Sequence, residues 1–253
     1  MRLATFNILH GRSPGDGRVD LDRFGAAVRD LDADVLALQE VDRDQPRSHG
    51  ADLTAVAADA MDAPHHRFVA TLHGTPGLWS AATGELQPRS AGYGIALLTR
   101  RPVLSWHALA LPVLRGRVPI VVPSRRRPIF VRDEPRAAVA AVVDAAEGPV
   151  TVVATHLTFI PGWNAVQLRR LVRLVQDLPR PVVIMGDLNL EAAAAVRLSR
   201  MRPLATAPTF PVGAPRRQID HILADGPITA TSSRSVDTGL SDHRALVADV
   251  VVG

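Results

Sequence analysis

The apolar residues of this chain fall mainly into short unbroken runs that end on polar residues. The most sharply bounded is Pro181–Leu190 (PVVIMGDLNL), where aliphatic residues close on a Gly and then on Asp187, Leu188 and Asn189. An apolar run without alternation predicts a strand covered on both faces. The same pattern predicts strands at Leu3–Leu9, in VLALQEV after Asp34, and at His65–Leu72, Tyr93–Thr99, Pro102–Leu111, Ala137–Asp144, Val150–Thr155, Ile219–Leu223, Ile228–Ser235 and Leu246–Val252. Helical spacing appears at Leu21, Phe24, Ala27, Val28 and Leu31, with Asp20 placed as the cap. Further helices are predicted at Leu53–Met61, from Glu191 to about Arg200, and at Trp163–Leu178. In the last of these, Trp163, Val166, Leu171, Leu174, Val175 and Leu178 share one side, with Arg169, Arg170 and Arg173 largely opposite. Gly74–Gly92 reads as a loop or irregular hairpin, and Thr206–Gln218 as a loop.

Strand, helix, strand occurs twice: Thr5–Leu9 to Val35–Glu40, and Val150–His156 to Val182–Asn189. The simplest architecture is two mixed sheets packed face to face with helices outside each, and polar strand ends converging on one rim.

Those strand ends and turns carry Asn7, Glu40, His156, Asp187 with Asn189, and Asp242 with His243, while Asp220 lies in a further run. Each alone has an ordinary explanation: Asn7 as a core amide, Glu40 as a helix-facing acid, His156 as a turn residue. Together they need a common one, because charges that close buried runs are costly unless paired or bound to a metal. Asp187 and Asn189, two apart on an extended segment, project the same way, so one face offers a carboxylate beside an amide. A carboxylate can take a proton from water or hold a cation. His10 and Arg12 follow the first strand and Tyr93 opens another; for these three, substrate contact and a plain structural role weigh equally. His221 points away from Asp220 and reads as structural.

Composition narrows the picture. At 253 residues and 47% hydrophobic content the chain can bury the core of one large domain, expected to span 1–253. The absence of Cys excludes disulfides and thiolate chemistry. All 29 basic residues are Arg, so the sequence pI of about 10.9 reflects Arg usage more than a dense positive field; the formal net charge is +4. Seven Arg fall in Arg115–Arg136. That segment is either a cationic wall for a phosphate backbone or anionic head group, or a solvated hairpin in an Arg-biased protein. Aromatic content of 4% leaves little for a base-stacking platform. With neither a leader pattern after Met1 nor an apolar stretch near the ~20 residues of a membrane helix, a cytoplasmic protein is expected.

The series TFNIL, ALQEVD, YGIALLTR, THL, GDLNL, IDHIL and SDHR resembles, in order and spacing, the endonuclease/exonuclease/phosphatase superfamily from about Ala4 to Ala248. The resemblance implies a four-layer α/β/β/α sandwich and Mg²⁺-dependent hydrolysis of a phosphoester, with Mn²⁺ as a substitute. It assigns the metal to Glu40 with Asn7 and Asp242 nearby. It puts Asp187, Asn189, His156, Asp220 and His243 in the catalytic set, with His243 or Asp187 as base. Substrates in that superfamily range from nucleic acid and nucleotides to lipid head groups and inositol phosphates. A nuclease or phosphodiesterase is the first expectation, a lipid or small-molecule phosphoesterase the second.

Overall fold

The structure, a computed structural model, describes residues 1–82, 86–88, 90–120 and 128–253. Its strands are β1 (Arg2–Asn7), β2 (Val35–Arg43), β3 (His65–His73), β4 (Ser80–Ala81), β5 (Gly92–Thr99), β6 (Val103–Ala110), β7 (Arg117–Ile120), β8 (Ile129–Arg132), β9 (Ala137–Ala145), β10 (Gly148–His156), β11 (Val182–Asp187), β12 (Arg202–Pro203), β13 (Asp220–Asp225), β14 (Ile228–Val236) and β15 (Ala245–Val252). The α-helices are α1 (Leu21–Leu31), α2 (Leu53–Ala60), α3 (Trp163–Leu174) and α4 (Ala192–Ser199).

One sheet runs β14-β15-β1-β2-β5-β3-β4, the other β12-β13-β11-β10-β9-β6. The two βαβ units anticipated from the sequence are present, since β1–β2 and β10–β11 are the parallel pairs. Period-two alternation sorts each strand between two cores. Leu3, Val35, Ala37, Val152, Ala154, Val183 and Met185 meet between the sheets. Ala4, Phe6, Leu36 and Leu38 face α1 and α2, and Val153, Val182 and Ile184 face α3 and α4. Helix, sheet, sheet, helix is therefore the layering, and burial on both faces is why the runs lack polar alternation.

Several local expectations need correction. The second strand does not stop at Glu40: it runs on to Arg43 through a bulge between Gln39 and Val41, where Glu40 has φ 58°. Gln39 bonds Thr5 on one face and Val41 packs in the helix-side core, so the bulge frees Glu40 from the alternation. Asn189 is not extended but left-handed, with φ 50°. Helix α3 ends at Leu174 and buries Asn164, Gln167, Leu168 and Leu171, whereas Val166 is exposed. The polar pair is inward because it ties down loops: Gln167 accepts from Thr158 N–H and donates to the Pro112 carbonyl, and Asn164 donates to the Asn189 carbonyl. Within Gly74–Gly92, Ser80–Ala81 pairs with β3, and Gly92 already belongs to β5. In Arg115–Arg136, β7 and β8 pair antiparallel as a separate two-stranded sheet; Arg125–Arg127 lie outside the described residues.

Candidate active site

Neighbouring strands bring the polar residues together by register. Asp187, at the end of β11, sits opposite His156 across the parallel pair and opposite Asp220 across the antiparallel pair. All three continue the inward-facing set of their strands, as does Asn7 on β1. Gly186 allows this close approach, because a Cβ there would lie 1.9 Å from the Thr155 carbonyl oxygen.

The centre is the Asp187 carboxylate. Its Oδ2 accepts from Asn7 Nδ2 at 3.2 Å and faces His156 Nε2 at 3.5 Å and His243 Nε2 at 3.9 Å. Its Oδ1 accepts the Asn189 backbone N–H at 2.9 Å. The Asn7 amide also donates to Glu40 Oε1 at 3.1 Å. His243 turns Nδ1 to Asp220 Oδ2 at 2.9 Å, and that oxygen also accepts from Thr209 Oγ1 at 2.5 Å. The Asn189 side chain is committed to the Leu157 carbonyl at 3.0 Å; it lines the cleft but does not stand beside Asp187 as an extended segment would place it.

Electrostatics follow from this burial. Desolvation pushes the Asp187 carboxyl up to about 7, with the Asp220 charge adding to it. Desolvation also raises Glu40, and Asp242 reinforces the rise against the Asn7 bond. Burial pulls His243 down, but Asp220, by charge and hydrogen bond, together with Asp187, outweighs it and lifts the imidazole to about 9. His156, wholly desolvated and near Arg136, is held well below its ordinary value. The Tyr93 phenol is pushed well up by burial and by Glu40.

The resulting cleft, about 380 Å³, is lined by Glu40, Tyr93, His156, Asp187, Asn189, Asp242 and His243. His10 and Arg12 are not in it: they line a neighbouring basic pocket with Arg18, Arg47 and His49. His221 points the other way and meets the Leu190 carbonyl at 2.8 Å. Sequence reasoning missed Glu134, Arg136, Phe159, Phe210 and Arg217 in the cleft wall, and Thr209 behind Asp220. The Phe210 ring lies 5.0 Å from the His243 ring. The 206–218 loop is sewn to the 240–244 turn by Val212 N–H to the Asp242 carbonyl and Arg244 N–H to the Thr209 carbonyl. Arg136, the last residue of the Arg-rich segment, could have been noticed as a charge at the mouth of an apolar strand.

The model of the Endonuclease/Exonuclease/phosphatase family matches residues 4–243. The chain belongs to that family. It is thus a phosphoester hydrolase on an α/β/β/α scaffold, of a superfamily that works with a metal ion. A structure of an endonuclease/exonuclease/phosphatase from Beutenbergia cavernae is similar over 100% of this chain and 72% of its own, with 24% identity and a TM-score of 0.74. Sphingomyelinase C from Streptomyces griseocarneus is similar over 98% of both chains, with 16% identity and a TM-score of 0.60. Beta toxin from Staphylococcus aureus with bound magnesium ions is similar over 98% of both, with 13% identity and a TM-score of 0.63. No curated protein is a significant sequence match. At these identities the solved structures speak for the fold alone.

The donor set of this family member suits a hard cation. Glu40 is a desolvated carboxylate bonded by the Asn7 amide, with the Asp242 charge close enough to raise its pKa. A divalent ion with oxygen ligands relieves both the burial and the repulsion. Asp187, Asp220 and His243 also offer ligand atoms within 4.8 Å of one another. There, however, His243 Nδ1 already bonds Asp220 directly, the arrangement of an ion pair. No helix among the described residues is long and apolar enough to cross a membrane.

Proposed function

We propose that this protein hydrolyses phosphodiesters of nucleic acid or nucleotides with Mg²⁺, or Mn²⁺ in its place, by attack of a water molecule on phosphorus. The observation that carries the reading is the gathering of Asn7, His156 and His243 around one Asp187 carboxylate, beside Glu40. Glu40, Asn7 and Asp242 would hold the metal, which when bound neutralises charge growing on the phosphoryl oxygens. His243 Nε2 stops 3.9 Å from Asp187, too far for a hydrogen bond, and both line the cleft, so one water or phosphoryl oxygen beside the pair can bridge them from the cleft side. With Nδ1 engaged by Asp220, His243 stays cationic and holds a phosphoryl oxygen, leaving Asp187 as the base that takes the water's proton. Asn189 fixes Asp187 through its backbone N–H, and neutral His156 donates to the phosphate or the leaving oxygen. Tyr93 closes the substrate side.

A substrate with successive phosphates is favoured by the pocket of His10, Arg12, Arg18, Arg47 and His49. Arg47 links the two hollows, lying 5.4 Å from the Tyr93 ring centroid while paired with buried Asp42. A phospholipid head group is the second reading. It is favoured by Leu78, 81% exposed, next to a Trp79 ring that tilts against Tyr93 at 6.1 Å. The sphingomyelinase and mannosyl-6-phosphatase structures on the same fold keep that class and monoesters open to test.

A substrate panel tests the reading: plasmid DNA, single-stranded RNA, bis-p-nitrophenyl phosphate, p-nitrophenyl phosphate and a choline phospholipid, each with Mg²⁺ and with EDTA. Metal-dependent nicking that weakens steeply with salt is the expected result. Release from the monoester or the lipid alone would replace it with the corresponding reading. No hydrolysis of any substrate would refute all of them.

A further inference from the structure

Arg136 sits immediately before β9 and lines the cleft with Glu134, His156 and Asp187. Its side chain is 5% exposed. Among the described residues the guanidinium meets one side-chain acceptor, Glu134 Oε2 at 3.3 Å, and its Nε is buried with none. A guanidinium keeps its charge in any protein and presents five N–H donors in a planar fork. Burying that fork against one long contact leaves both charge and donors undersupplied. The Glu134 carboxylate is itself 47% exposed, so it can swing into water at small cost. The other cations of the cleft are engaged: Arg217 bonds Glu191 at 2.6 Å and His243 bonds Asp220.

We propose that Arg136 is the anchor of an oxyanion-binding site in the cleft wall beside His156, which takes two oxygens of a phosphoryl group and for which Glu134 is the resident counter-ion that the ligand displaces. Two acceptors on one phosphorus match the fork bidentately at about 2.7–2.9 Å, a better fit than the single contact Glu134 makes. Glu134 then acts as a selectivity element, because only an anion that outcompetes a tethered carboxylate enters. The proposal rests on the phosphoester reading of the cleft and adds to it one residue pair, with a stated role for each member, out of a segment that the sequence offered only as a whole.

Binding of inorganic phosphate by isothermal titration in EDTA tests this without turnover. The full chain is compared with Glu134→Gln, Arg136→Lys and Arg136→Gln, each checked by circular dichroism. Glu134→Gln should bind phosphate roughly fivefold more tightly, the gain expected from removing a half-exposed competing ion pair. Arg136→Gln should bind at least about thirtyfold more weakly, and Arg136→Lys should fall between, keeping charge but not the fork. Unchanged or weaker binding by Glu134→Gln, wild-type affinity in Arg136→Gln, or no phosphate binding by any form would overturn the proposal. Should Arg136→Gln fail to fold, Glu134→Gln decides alone. Phosphate binding that follows these variants in a protein that hydrolyses no phosphoester sinks the functional reading and leaves this site standing. Diester hydrolysis with phosphate affinity indifferent to both positions does the reverse.

Discussion

Replacing Gly186 by Ala tests the link between strand packing and chemistry most directly. A Cβ at this position would lie 1.9 Å from the Thr155 carbonyl oxygen and 2.9 Å from its carbon, where real Cβ contacts begin near 3.0 Å. Strands β10 and β11 would have to part by the difference, about 1.1 Å, at backbone atoms that no rotamer change can move. The residue also has φ 151°, a region that L side chains rarely adopt. The Thr155–Gly186 and His156–Asp187 pairs are where the displacement falls, so Asp187 leaves His156 and Asn7 as the sheet opens. Overpacking plus lost ladder bonds should cost about 3–5 kcal/mol, which lowers Tm by roughly 6–20 °C in a chain of this size. Urea unfolding measures the first quantity and calorimetry the second. Gly213→Ala is the control, because nothing lies within 4 Å of its added Cβ; it should change stability by less than about 0.5 kcal/mol. A Gly186→Ala protein as stable as that control, with native turnover, would refute the account of how the two strands set the site.

Other outcomes are equally specific. Asp187→Asn should unfold at close to the wild-type temperature, and His243→Ala below it because it strands the buried Asp220 carboxylate. Both should stay folded yet lose about 10²–10⁴ of turnover on the best substrate of the panel, and retention of near-native rates would reassign the roles. Asp220→Asn should bring the His243 pKa from about 9 to its ordinary 6.5 or below in an NMR titration. That gap corresponds to roughly 3.4 kcal/mol of proton affinity. Because the folded-state value lies above the unfolded one, His243 contributes stability that is whole below pH 6.5 and drains away as the pH rises through about 9. The asparagine variant should lack that loss, and an unchanged pKa would contradict the ion pair. Mg²⁺ should raise the Tm of the wild type, and Glu40→Gln should lack that rise; an undiminished rise in the variant would place the metal elsewhere.

Much of the fold was legible in the chain because two-sided burial leaves a strong trace. Runs such as VLALQEV and PVVIMGD lack polar alternation only if both faces are covered, and two such strands flanking a helix argue for parallel pairing. The site residues announced themselves for the same reason. Asn7, His156 and Asp187 interrupt runs in which a charge or amide would otherwise be expensive.

Tertiary structure alone decided which of those groups touch. The 3.5 Å approach of His156 to Asp187 comes from strand register, and the 2.9 Å contact that joins His243 to its expected partner Asp220 comes from one sheet packing on the other; local pattern encodes neither distance. The bulge that turns Glu40 and the left-handed Asn189 are backbone exceptions forced by packing, and alternation could only miss them. Arg136 looked like one more Arg in a basic segment until the sheet buried it beside His156. A residue's cost of burial can be read from its type, but its partner depends on which strands lie next to each other.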